Sequence, residues 1–269
     1  DYGMDRAKAI MKEADFPYLS CNWVDLRTGL RVLPSVKVFV RGGRRIAFVG
    51  VTTPETFTKS TPAYFMDKAQ RKYIYDIQGG EDGKKLYDAV QKAIDKAKLL
   101  ADVVIGLGHL GVDPSSSPWT SEEVIAHTSG FDAFIDGHSH TVMTAGPNGE
   151  HIQSTGTAFA NIGVITIDNA TKKIVGNELK AIWHTEKNAD GESVTVVDYK
   201  TRDENVAAAA KAIIDPIDKA YGEKFAVSEV ALNGAKAPNG NRDSETNLGD
   251  LITDAMLCLL YTSPSPRDI

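Results

Sequence analysis

The chain has 269 residues, 25% of them charged, with a formal net charge of −6 and no basic stripe, a balance that argues against binding a nucleic-acid polymer. That length accommodates one large domain, or one domain and part of another. No run approaches the roughly 18 apolar residues of a membrane span, and two cysteines, Cys21 and Cys258, make neither a disulfide framework nor a thiolate metal cluster.

Gly3 to about Phe16 carries Met4, Ala7, Ile10 and Met11 at helical spacing, which predicts an amphipathic helix. Pro17–Trp23 (PYLSCNW) reads as a strand. Val36–Val40 and Arg45–Val51 are β runs joined by Arg-Gly-Gly-Arg, a hairpin signal. Thr52 to Gly83 is irregular. Lys84–Ala101 then places Leu86, Val90, Ala93, Ile94 and Ala97 on one helical face. It leads into a buried strand, Asp102–His109, that closes on Gly-His. VDPSSSPWTS is a loop, and Ser121, Glu122 and Glu123 open a short helix to about Ser129. The apolar run FDAFID follows and ends at Gly137. This alternation predicts an α/β layered fold with parallel central strands.

From Val142 the pattern changes to a β meander: a Pro-Asn-Gly-Glu turn, His151–Ser154, Ile162–Ile167, and Lys173–His184, expected to pack a sheet against the helical layer. Asp203–Tyr221 is helical, kinked or divided by Pro216, and suits a linker between domains. A strand-like VSEVALNG, a polar Gly/Asn loop and an amphipathic Leu248–Leu257 follow. The run Cys258–Asp268, CLLYTSPSPRD, matches the translation of a sequencing-library adapter and is expected to be non-native. No internal repeat of the solenoid kind is present.

Two of these strands end in histidine, in a chain with six histidines in all. Gly-His-Leu-Gly contains His109, and Gly-His-Ser-His contains His138 and His140. An extended chain puts residues i and i+2 on one side, so both imidazoles of the pair would face one spot beyond a strand end. The pattern points to a metal site on a sheet edge. Imidazole and carboxylate ligands suit Zn²⁺ and Mn²⁺ better than Ca²⁺.

In this order the segments resemble the 5′-nucleotidase branch of the calcineurin-like metallophosphoesterases. Asp1-Tyr2-Gly3 is similar to the end of that family's Gly-Asn-His-Glu-Phe-Asp-Tyr-Gly motif. PYLSCNW, RRIAFVGVTTPET, GLGHLG and DGHSH follow in family order, and NRDSETNLGDLITDAM from Asn241 is similar to the opening of its C-terminal nucleotide-binding domain. The resemblance implies a β-sandwich flanked by helices, of which residues 1–202 would be the C-terminal part. A linker helix at 203–222, the start of a second α/β domain at 223–257 and a non-native tail at 258–269 would follow.

The resemblance also implies chemistry. Members hydrolyse nucleoside monophosphates to nucleoside and phosphate with two divalent ions, Zn²⁺, Mn²⁺ or similar, about 3.5–4 Å apart around a bridging hydroxide. Carried over, His109 and His138 would bind one ion and His140 the other, while Asp1 would orient a catalytic histidine upstream of it. The family's Asp-x-His, Gly-Asp and Gly-Asn-His segments would also precede Asp1, so the 269-residue chain is expected to be inactive alone. The implied partner is a nucleotide, and the implied location is the periplasm or cell surface. Oligomeric state stays open. Within the family, cyclic-nucleotide phosphodiesterase/3′-nucleotidase, UDP-sugar hydrolase and thiosulfohydrolase activities are alternatives. An alternative of another class is a non-catalytic binding module with a degenerate metal site.

Other polar residues read as structural. His127, His151 and His184 fall on a short helix and on meander strands. Asp136 either steadies an imidazole or serves a turn. Asn161 and Gly163 start a strand, Trp119 packs, and Arg242, Glu245 and Asn247 cap or bridge rather than touch substrate.

Overall fold

The computed structural model describes residues 3–67, 69–197, 202–224, 226–235, 238–241 and 243–261. They fall into two compact units, Asp1–Lys200 and Thr201–Ile269. The first unit opens with α1 (Met4–Glu13), β1 (Trp23–Asp25) and β2 (Leu30–Arg31). The strand expected from Pro17 begins only at Trp23. Pro17 has no N–H to give a ladder, and beside the main-chain bonds of Cys21 and Asn22 to Gly50 and Gln78 the Asn22 side chain takes the Thr52 and Gln78 carbonyls at 2.8 and 3.2 Å.

β3 (Val36–Arg41) and β4 (Arg44–Thr52) form the expected hairpin, with Arg41 opposite Arg44. Gly42 and Gly43 have φ of 55° and 74°, the two positive values that a two-residue turn of matching twist needs. The connection that follows holds α2 (Thr56–Lys59), β5 (Met66–Asp67), β6 (Lys72–Tyr73) and β7 (Tyr75–Ile77), the last pairing with β1. Next comes α3 (Lys84–Lys98), whose Leu86, Val90, Ala93, Ile94 and Ala97 are buried against Ala47, Val49 and Val104 of the sheet. Removing each of the larger aliphatic side chains from water contributes about 1.5–3 kcal/mol. Lysines and aspartates hold the opposite face in solvent.

β8 (Val103–His109), α4 (Ser121–Ala126) and β9 (Ala133–Asp136) complete the alternation. α4 opens at Ser121 as expected and is capped by Thr120, because Thr120 and Glu123 satisfy each other's main-chain N–H in a capping box. β10 (Val142–Met143) and β11 (Ile152–Thr155) then join the same sheet, which runs β10-β11-β9-β8-β4-β3. β4, β8, β9 and β11 are parallel; the two outer strands are antiparallel. The expected meander is therefore revised at its start. β11 extends the parallel sheet, and its buried Gln153 donates to Asn177 Oδ1 at 2.7 Å. Within the expected meander, β12 (Asn161–Ile167) with β13 (Ile174–Ala181), and β14 (Trp183–Lys187) with β15 (Ser193–Val197), are simple antiparallel pairs.

The second unit contains α5 (Glu204–Tyr221) and α6 (Asn247–Tyr261). Asp203 caps α5 by accepting the N–H groups of Asn205 and Val206, and the helix is continuous through Pro216 rather than divided. The strand-like 227–234 run forms no strand. Asn247 instead occupies its main chain, accepting from Asn233 N–H at 2.8 Å and donating to Ala231 O at 2.9 Å. Thr246 Oγ1 accepts the Gly249 N–H at 3.1 Å and caps α6. α6 continues past Leu257 because Cys258–Tyr261 contains no helix breaker; residues 262–269 lie outside the described set. Among the described residues, no helix is long and apolar enough to cross a membrane.

Candidate metal centre

Because β4, β8 and β9 are adjacent and parallel, their carboxyl ends lie side by side, where open α/β sheets present ligand-binding groups. Glycines make this arrangement possible. A Cβ at Gly106 would stand 2.2 Å from Phe134, and one at Gly108 would stand 2.6 Å from the same ring. The fully buried Phe134 thus occupies the space that alternate glycines of β8 leave open. Gly137 serves the site more directly, since a Cβ there would lie 3.2 Å from His109 Nδ1. The His109 and His138 rings meet edge to face with centroids 5.1 Å apart.

The Gly-His-Ser-His stretch is not extended, and this corrects the expectation that alternation aligns its two imidazoles. β9 ends at Asp136, and His138 and His140 have φ of 83° and 56°, a region that costs side-chain-bearing residues roughly 1–3 kcal/mol. Ser139 N–H donates to Gly137 O at 3.2 Å, closing a tight turn about His138. Ser139 Oγ accepts from Val112 N–H at 3.3 Å and shares a hydrogen bond with Thr141 at 2.8 Å. Asp136 Oδ1 accepts from the N–H groups of Leu110 and Gly111 at 2.9 and 3.3 Å. It ties together the loops that carry His109 and His138 through the main chain.

Sequence reasoning missed Glu55. It follows β4 by three positions, and its Oε2 lies 2.9 Å from His138 Nε2 and accepts Ser116 Oγ at 2.6 Å. Glu55 and Ser116 are both buried. The available signal was position alone: Thr-Thr-Pro-Glu leaves the end of a parallel strand next to the one that ends in His109. Burial pushes the Glu55 carboxyl up, but Ser116, His138 and Lys59 outweigh it and hold it below its ordinary value. Burial lowers the His109 pKa, and the neighbouring His138 and His140 add to that against Asp136. A depressed pKa keeps His109 in the neutral form that a metal requires.

The remaining candidates settle into structural places. Trp119 donates to Gly80 O at 2.8 Å and packs on the core. His127 stacks on Tyr87 at 4.4 Å, and His184 lies 3.8 Å from Glu186. Asn161 donates to Thr155 O at 3.1 Å, and Gly163 lies against Gln153. Asp1 and Arg242 lie outside the described residues. His109 and His138 form a facing pair of imidazoles, a donor set suited to a divalent transition ion. They fit as part of such a site. Among the described residues, no group of three or more His, Cys, Asp or Glu is placed to hold a metal.

No family model matches the chain. It is 26% identical over 230 residues to the trifunctional nucleotide phosphoesterase YfkN of Bacillus subtilis, covering 80% of the chain and 13% of that protein. It is 25% identical over 264 residues to the 2′,3′-cyclic-nucleotide 2′-phosphodiesterase/3′-nucleotidase of Yersinia enterocolitica, covering 90% of the chain and 35% of that protein. The chain thus spans well under half the length of these relatives. Among solved structures, the sulfate thiohydrolase SoxB of Thermus thermophilus superposes with a TM-score of 0.67 at 18% identity, over 97% of this chain and 42% of that one. A 5′-nucleotidase precursor, also from Thermus thermophilus, gives 0.61 at 21% identity, over 94% and 48%. The fold is that of the calcineurin-like phosphoesterases and 5′-nucleotidases, and the chain's homologues are nucleotide phosphoesterases.

Proposed function

We propose that the chain belongs to a larger, metal-dependent phosphoesterase of the 5′-nucleotidase type, which releases phosphate from nucleoside monophosphates outside the cytoplasm. The observation that carries this reading is the facing pair His109 and His138 at the carboxyl ends of adjacent parallel strands, their rings 5.1 Å apart. The homologues' nucleotide substrates support the choice of substrate class. Residues 203–222 are read as the linker helix, 223–257 as the opening of a second domain, and 258–269 as a non-native tail.

His109 and His138 would hold one divalent ion and His140 a second. Bound there, such ions supply a hydroxide nucleophile and neutralise charge on the phosphoryl oxygens. The chain's own residues provide placement. Asp136 holds the two histidine loops together, and Gly137 leaves His109 room to approach. Asp1 is assigned the orientation of a catalytic histidine, on the family resemblance alone.

The test is the uninterrupted natural reading frame containing this sequence, assayed for phosphate release with Mn²⁺ and AMP, 2′,3′-cyclic AMP or UDP-glucose. Hydrolysis of AMP that His109→Ala and His138→Ala each abolish is expected. Binding of nucleotide without turnover of any of the three would replace the enzyme with a binding module.

A further inference from the structure

We propose that Glu55, braced by Ser116, is a positioning residue that fixes the His138 ring and leaves Nδ1 as its metal-facing nitrogen. This rests on the metal reading above. The argument begins with hydrogen-bond inventory. An ionised carboxylate only accepts. Glu55 Oε2 already accepts the Ser116 hydroxyl at 2.6 Å, and Lys59 Nζ lies 3.7 Å from Oε1. His138 Nε2, 2.9 Å from Oε2, must therefore carry a proton. A neutral imidazole carries only one, so the lone pair is on Nδ1.

The surroundings say why such a brace is needed. His138 has φ of 83° and sits in a tight turn, so its backbone is held in a sparsely populated conformation. A ring on such a turn is aimed only if something grips its far side. Glu55 reaches it from the end of another strand, 83 positions away in sequence, and is buried where water does not compete for the bond. Carboxylates in this relation to a ligating histidine fix its tautomer and orientation and raise its basicity.

The experiment uses the 269-residue chain labelled with ¹⁵N at histidine. Long-range ¹H–¹⁵N spectra of the wild type, without metal, should show His138 as the Nε2–H tautomer. Titration with Zn²⁺ should then move the Nδ1 resonance of His138 together with the His109 resonances. Glu55→Ala should give mixed tautomers and weaken Zn²⁺ binding about 10–100-fold. Glu55→Gln, which keeps an acceptor, should restore the tautomer and part of the affinity, and Ser116→Ala should fall between wild type and Glu55→Ala. A wild-type His138 protonated on Nδ1 overturns the proposal whether or not any variant folds. So does a folded Glu55→Ala chain with unchanged tautomer and Zn²⁺ affinity, which would leave the metal reading standing. Absence of Zn²⁺ binding at these histidines in the uninterrupted protein overturns the metal reading, and this one with it.

Discussion

Gly106 and Phe134 are direct neighbours across the β8–β9 ladder, and the Cβ that Gly106 lacks would lie 2.2 Å from the Phe134 ring. Phe134 is fully buried, so the ring cannot swing into solvent to make room. Gly106→Ala should destabilise the first unit by about 1–3 kcal/mol, the usual cost of overpacking. Phe134→Leu added to Gly106→Ala should recover part of that loss, because the smaller side chain vacates the contested volume. Urea midpoints for the two singles and the double close the cycle; strict additivity would show that the contact is not the cause.

Gly137 separates packing from chemistry. Its backbone does not need glycine's positive φ, yet a methyl group there would stand 3.2 Å from His109 Nδ1. Gly137→Ala should leave the unfolding midpoint nearly unchanged and weaken Zn²⁺ binding on the order of tenfold by displacing the imidazole. Calorimetric titration beside a denaturation curve checks both halves. Equal affinity would place the ion away from the Gly137 side of His109.

The legible parts of this chain are those with local causes. The β3–β4 hairpin follows from alternation around Gly42-Gly43, α3 from one apolar stripe, and the histidine-bearing strand ends from apolar runs that stop at glycine. What escaped reading depends on partners distant in sequence. β11 carries Gln153 and Ser154, which read as part of an antiparallel meander until Asn177 and the parallel pairing with β9 bury them. The left-handed turn at His138 is invisible to an argument from extended-chain alternation. Glu55 falls in the stretch from Thr52 to Gly83 that reads as irregular, and only the fold brings His138 to it. PYLSCN has strand composition, yet the Asn22 side chain takes the Thr52 and Gln78 carbonyls that a longer ladder would use.

Asp102 gives an acid-dependent signature. It accepts the Arg45 N–H at 3.0 Å and Lys172 Nζ at 3.0 Å, joining the start of β4 to the turn after β12. The Arg45 main-chain bond and then Lys172 lower its pKa to about 2, from about 3.9 in an unfolded chain. A folded pKa below the unfolded one means that the unfolded chain binds the proton more readily. Its stabilisation is thus complete above about pH 4 and lost as pH falls towards 2. The difference in urea midpoint between wild type and Asp102→Asn should therefore be constant from pH 7 to 5 and shrink below pH 4. A constant difference down to pH 2 would assign the effect to something other than ionisation.

Donor count sets the expected activity of the 269-residue chain itself. In-line attack on a phosphoester needs two ions bridged so that one hydroxide is held between them. His109 and His138 face each other, while His140 is exposed. On the proposed assignment, three imidazoles split over two ions would leave each with too few anchors, and imidazole does not bridge as a carboxylate does. The purified chain with Mn²⁺ or Zn²⁺ and AMP should release phosphate no faster than buffer with the metal alone, even where Zn²⁺ binding at His109 and His138 is measurable. The uninterrupted reading frame, assayed in parallel, should hydrolyse AMP. A rate for the short chain matching that of the uninterrupted protein would show that residues 1–269 hold a complete site.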